Sequence, residues 1–224
     1  MGRRGRQGAG RLRRRARWET VDSNAVNAIS EPEVFLEADQ ALLEVIEQIP
    51  DAQWQMPLPD WFQRHDSQRD VSLRQLIEYH AYDEAWVPDM LAGRTMDEVG
   101  QDKFGGTLLG ADPVDDYRRL ARAAQEAARS HTDLDRVVHC SFGDYPAREY
   151  LWQANYFRGV RAFDIAKLIG TDPRLSEGLV QGLWEEISPH ADEWRTIGVF
   201  GPAVEVPEDA PPLDRLIALT GRQP

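Results

Sequence analysis

Four stretches of this chain repeat apolar residues at steps of three and four, and three of them open on a clear helix-start signal. That spacing lays apolar side chains along one stripe of a helix, and such a stripe must bury against other helices. The first stretch follows the capping box Ser30-Glu31-Pro32-Glu33 and carries Val34, Phe35, Ala38, Leu42, Ile46 and Ile49. In the second, Ser72 pairs with Gln75 three residues on, and the stripe reads Leu73, Leu76/Ile77, His80, Glu84, Val87, Leu91. Pro88 should bend or end this helix, because its ring removes a hydrogen bond. The third takes Asp112 as N-cap and Pro113 at the first position, with Val114, Tyr117, Leu120, Ala121, Ala124 and Ala128 inward. The fourth closes on Gly170 and carries Tyr150, Ala154, Phe157, Arg161, Ile165 and Leu168. Together they predict an all-α fold, an antiparallel four-helix bundle with helices near 31–49, 72–91, 113–131 and 146–169.

The remaining segments read as connectors and a small C-terminal helical extension. A loop rich in Pro, Trp and Asp covers 50–70, and Gly105-Gly106 with Gly110 forms a second connector. Val137 to Phe142 is too short for a helix and reads as strand-like. A helix from Ser176 through Ile187, a broken continuation to Ile197, an extended piece at Val204–Pro207 and a helix at 213–219 complete the chain. The expected division is a head, 1–28, and a single domain, 29–224.

Charge separates head from body. Residues 1–17 hold eight arginines and no acid. Of the chain's 26 Lys+Arg and 38 Asp+Glu, the body therefore keeps 18 bases against 38 acids, a net of −20. So acidic a body repels nucleic acid and anionic membranes, so neither is expected as a partner. The Gly/Arg-rich head has no apolar periodicity and no secretory h-region; it is expected to be disordered, dispensable, or an upstream translation of a gene starting near Val21. No apolar run is long enough to span a bilayer. With Cys140 the sole cysteine, no internal disulfide can form, and a cytoplasmic location is expected.

Two polar anomalies interrupt the stripes. His80 and Glu84 sit one turn apart on an otherwise apolar face, and Arg161 sits at the centre of another. Burying such groups unpaired is costly, so each needs a partner. A core metal is one candidate, since bundles build metal sites from carboxylate and histidine side chains on facing helices. On the second helix alone, a hydrogen-bonded core histidine is the simpler account.

Four further segments carry a resemblance. They are Leu76-Ile77-Glu78-Tyr79-His80 through Trp86-Val87-Pro88 to Leu91-Ala92-Gly93-Arg94-Thr95; Gly105-Gly106-Thr107-Leu108-Leu109-Gly110-Ala111-Asp112-Pro113-Val114; His139 to Leu151; and Phe163-Asp164-Ile165-Ala166-Lys167. With the tail from Ile197 to Arg222, they make residues 33 to the end resemble the actinobacterial metal-binding branch of the DinB-like superfamily, whose members include mycothiol-dependent maleylpyruvate isomerase. The resemblance implies a DinB-like up-and-down four-helix bundle. It also implies a divalent metal, Zn or Ni, held by one His on the second helix and a carboxylate-x-x-x-His pair on the fourth. The first ligand maps onto His80; the other two positions are Phe157 and Arg161. Phenyl has no lone pair to give, and guanidinium is a permanent cation that only donates.

His80, Glu84, Phe157 and Arg161 are therefore the expected pocket residues, with Arg161 replacing the metal's charge and pairing with Glu84. Two functions are compatible with that departure. One is a metal-free bundle, with no cofactor, that binds a small molecule or is structural. The other is an enzyme that uses a divalent metal and mycothiol, isomerising or S-transferring a small electrophile.

Overall fold

A computed structural model describes residues 29–63, 70–141 and 143–224. The head, and with it the expectation for residues 1–28, falls outside the described residues. Four long helices form the body: α1 (Glu31–Ile46), α2 (Leu73–Leu91), α4 (Pro113–Ser130) and α5 (Ala147–Ile169); a one-turn α3 (Met96–Val99) lies in the connector after α2. Between α4 and α5 sit two short strands, β1 (Val137–Cys140) and β2 (Gly143–Pro146); after α5 come α6 (Glu177–Ile187), α7 (Ala191–Thr196) and α8 (Pro212–Leu219).

The helices start where the sequence signals them. Ser30–Glu33 and Ser72–Gln75 close both arms of their capping boxes, so two otherwise orphaned N–H groups at each start find acceptors. The Asp112 carboxylate accepts from Asp115 N–H, and Gly170 ends α5 in the left-handed conformation with φ +77°. Of the two effects expected of Pro88, bending or ending α2, it does not end the helix, which runs to the expected limit. The helix continues to Leu91, because Val87, Met90 and Leu91 are buried and their packing outweighs one missing hydrogen bond.

The stripes of α1 and α2 are buried along their whole length. On α4, Val114 and Leu120 remain partly exposed while Tyr117, Ala121, Ala124 and Ala128 are covered. Helix α1 packs closely on both α5 and α4, and α2 on α4. Helix α5 differs from the others: fourteen of its residues are buried, including the consecutive run Arg158–Ala166. It is hemmed in on several sides, so it has no clean outer face.

The structure adds detail to two expectations for the smaller parts. The 137–142 connector is one arm of a hairpin whose second arm, 143–146, pairs antiparallel from Val137↔Pro146 to Cys140↔Gly143. The C-terminal helical extension packs into the body. Leu179, Val180, Leu183, Ile187, Trp194, Phe200, Leu216 and Ile217 belong to the same apolar core as α1, α2 and α5. Burying each such side chain contributes roughly 1.5–3 kcal/mol. The fit against α5 is close: a Cβ on Gly159 would lie 2.5 Å from Leu183 Cδ1. Among the described residues, no helix is long and apolar enough to cross a membrane.

Candidate functional site

Each of the four long helices sends a polar side chain into the centre of the body. Asp39 comes from α1, Glu84 from α2, Tyr117 and Gln125 from α4, and Arg158 from α5. Asp39, Glu84 and Tyr117 are fully covered, and Arg158 is 4% exposed. Arg158 Nε lies 2.8 Å from Glu84 Oε1 and 3.7 Å from Asp39 Oδ1, and its guanidinium stacks 4.6 Å from the Phe35 ring centre. The Tyr117 hydroxyl donates to Glu84 Oε1 at 3.4 Å, and the Gln125 amide donates to Asp39 Oδ2 at 2.8 Å.

One guanidinium faces two carboxyl groups here, an imbalance that a proton on Asp39 would remove. Burial, and then the nearby Glu84, push the Asp39 carboxyl well above the usual carboxylate range. A protonated Asp39 leaves one carboxylate, Glu84, to balance Arg158, and the cluster is then neutral. Burial works against the Arg158 charge, but Glu84 and Asp39 more than offset it and hold the guanidinium charged. Burial, reinforced by Glu84 and Asp39, keeps the Tyr117 phenol protonated and able to donate.

The expected pairing of Arg161 with Glu84 is thus incorrect: Arg158, one turn earlier, takes Glu84. The cause is register. Position 158 points between α1, α2 and α4, whereas position 161 points towards the C-terminal segment. Arg161 Nη1 donates to the Gln63 carbonyl at 2.9 Å and to Asp164 Oδ2 at 3.3 Å, and its guanidinium lies 4.9 Å from the Phe62 ring centre. Asp164 accepts in turn from Arg222 Nε, at 2.9 and 3.1 Å. Arg222 Nη1 also donates to the Tyr156 hydroxyl and to Thr220 Oγ1, both at 3.2 Å. Gly221 makes this possible. Its φ is +83°, and a Cβ there would sit 2.8 Å from the Gly201 backbone, so the chain can turn Arg222 inward only with glycine at that position.

His80 is buried beside both clusters. Burial, then the Arg161 and Arg158 guanidiniums, hold its imidazole well below the usual histidine range, so it is neutral. A neutral imidazole could ligate a metal, but its surroundings do not fit one. The two further ligand positions that the resemblance implies are Phe157 and Arg161, and any dication would meet two fixed guanidinium charges. Among the described residues, no group of three or more His, Cys, Asp or Glu side chains could hold a metal ion.

Two cavities flank α5, and Phe157 forms part of the wall of each. The first, about 190 Å³, lies between α2 and α5. Tyr82, Trp86 and Met90 line one side and Tyr150, Ala154 and Arg158 the other, with Met96 and the hairpin's Cys140 at the rim. The Trp86 Nε1 and Arg158 Nη2 groups are buried without a hydrogen-bond acceptor among the described residues. Half-burial, then Asp144, push the Cys140 thiol up to about 11, which leaves it unreactive as a nucleophile. The second cavity, about 280 Å³, lies between α5 and the turn at Gly198–Gly201, with Arg161 and Arg222 in its wall. Of the four expected pocket residues, then, Phe157 and Arg161 line cavities, while His80 and Glu84 are core groups outside both linings.

Connectors are pinned to α2 around the first cavity. Buried Asp89 pairs with Arg94 and Lys103, each at 2.7 Å, and Phe104 meets Trp86 edge-on at 5.0 Å. Glu78 accepts from the Leu108 and Leu109 N–H groups, while Arg74 holds the Gly110 carbonyl at 2.8 Å.

Sequence reasoning missed Asp39, Arg158 and Arg222. Asp39 left one signal, a carboxylate four residues after Phe35 and three before Leu42, beside the apolar stripe. No protein-family model, no curated protein and no solved structure matches this chain.

Proposed function

We propose that the protein is a metal-free, small-ligand-binding member of the DinB-like family, an up-and-down four-helix bundle whose ancestral metal site is degenerate. One observation carries this reading: the Arg158–Glu84 ion pair, flanked by Asp39 and Tyr117, fills the centre of the body with a guanidinium. Glu84 is committed to that guanidinium, and Arg161, at a ligand position the resemblance implies, adds a second fixed cation near His80. The Phe157 and Arg161 departures support the same conclusion from the sequence.

The cavity between α2 and α5 supports the ligand-binding part. At about 190 Å³ it is comparable with engineered apolar cavities of about 150 Å³ that admit benzene. Its walls of Trp86, Met90, Met96 and Phe157 suit a flat apolar group. The residues around the cluster orient and exclude water; no proton transfer or bond-making step is assigned to them.

Two measurements test this. Protein dialysed against buffer containing Zn²⁺ or Ni²⁺, then against metal-free buffer, should retain clearly substoichiometric metal. One tightly held ion per chain with His80 among its ligands would overturn the reading and bring the thiol-dependent enzyme forward. Toluene should shift the Trp86 indole N–H resonance saturably, and Ala154→Leu, which fills the cavity, should abolish the shift. Absence of any toluene response would remove the ligand-binding part and leave a structural protein.

A further inference from the structure

The second cavity carries a different chemistry from the first. Two guanidiniums, Arg161 and Arg222, reach its wall, and a single carboxylate, Asp164, sits behind them. Arg161 and Arg222 are each 8% exposed and Asp164 2%, so the surplus positive charge is held away from bulk water. Among the described residues, no other charged side chain lines this cavity.

The donors are also in surplus. Asp164 occupies Nε of Arg222 and Nη1 of Arg161, while Tyr156, Thr220 and the Gln63 carbonyl take the other bonds described above. Among the described residues, Arg161 Nε is buried without a hydrogen-bond partner. A buried guanidinium with unmade hydrogen bonds is costly unless something else accepts them. Apart from Gln63, the rest of the described wall is apolar or aromatic: Phe157, Val160, Val199 and Phe200, with the Tyr156 ring tilted against Phe157 and edge-on to Phe200.

We propose that this cavity binds a small organic carboxylate, with the carboxylate held between Arg161 and Arg222 and the apolar body against Phe157, Val160 and Phe200. Planar guanidiniums match a carboxylate's two oxygens in a fork. One surplus positive charge balances a monoanion, whereas a phosphate dianion would leave the site negative. The volume, about 280 Å³, lies just under the usual lower bound for drug-sized ligands, so the occupant is metabolite-sized. The assignment is independent of the first cavity and of whether a metal binds.

Benzoate, benzamide and inorganic phosphate, each at constant ionic strength set with chloride, provide the test. Binding is read from the Arg161 and Arg222 Nε–H resonances of the full chain. Benzoate should shift both saturably, and benzamide, of the same shape without the charge, should not. Arg161→Lys, which keeps the charge but loses the fork, should weaken benzoate binding by about tenfold or more. No saturable shift with benzoate, an equal shift with benzamide, or binding of phosphate in preference to benzoate would each overturn the proposal. The wild-type titrations stand by themselves if the variant fails to fold.

Discussion

Arg158 and Arg161 stand one turn apart on the same helix, yet their surroundings are opposite. Around Arg158, two carboxyl groups face one guanidinium, and a proton on Asp39 would balance the charge. Around Arg161, one carboxylate faces two guanidiniums, and no titration near neutral pH can balance that, because arginine does not give up its proton. A surplus carboxyl can be neutralised by the solvent's protons; a surplus guanidinium needs an anion from outside. The first cluster can therefore be balanced in charge within the core, and the second is poised for an anionic ligand.

The largest expected effect comes from breaking the first cluster. Arg158→Met leaves Glu84 buried without its cation and should cost about 3–5 kcal/mol, read as a lower urea midpoint. At roughly 2–4 °C per kcal/mol for a chain of this size, the melting temperature should fall by about 6–20 °C. A loss below about 1 kcal/mol would mean that Glu84 is solvated and the cluster not balanced within the core.

A smaller effect is expected from Gly221→Ala. A side chain in the left-handed conformation costs about 1–3 kcal/mol, and the clash with Gly201 should turn Arg222 away from Asp164. The Arg222 Nε–H resonance should move to an exposed position while Asp39 and Glu84 stay as they are. If Gly221→Ala destabilised as much as Arg158→Met, the two clusters would be equally structural and the contrast would fail.

The smallest effect, and the one that sharpens the contrast most, is Asp39→Asn. Asparagine mimics the protonated carboxyl, so stability near pH 4, before the loss from the raised Asp39 pKa builds up, should change by less than about 1 kcal/mol. The pH dependence should change more. Because the folded pKa of Asp39 is raised, its contribution is fully present below its ordinary value of 3.8 and is lost as the pH rises through the folded value. Wild-type urea midpoints should therefore carry a downward component with rising pH above about 4, and the variant should lack it. Identical slopes in the two proteins would show that Asp39 is ionised in the folded state.

Much of the frame was legible in the sequence because its signals are local. A capping box involves four residues, and an apolar stripe repeats within two turns, so the starts of α1, α2 and α4 and the end of α5 could be read without knowing the fold. Periodicity failed on α5, where neighbours on several sides bury residues irrespective of register. There Arg158 is buried, and Phe157, beside it, is only partly so. With no single inner face, a stripe could mark Arg161 as anomalous but could not say which arginine meets Glu84.

By itself, the sequence determined that four long helices form, where they begin, that His80, Glu84 and Arg161 lie on faces meant for burial, and that Phe157 and Arg161 cannot ligate a metal. Tertiary structure alone decided the pairings. Asp39 meets Arg158 across 119 positions and Asp164 meets Arg222 across 58, and nothing within a few residues of either member points to the other. The physical reason is that helix and cap formation depend on contacts within a turn or two. Charge balance in a low-dielectric core depends instead on which side chains the packed helices bring within a few ångströms.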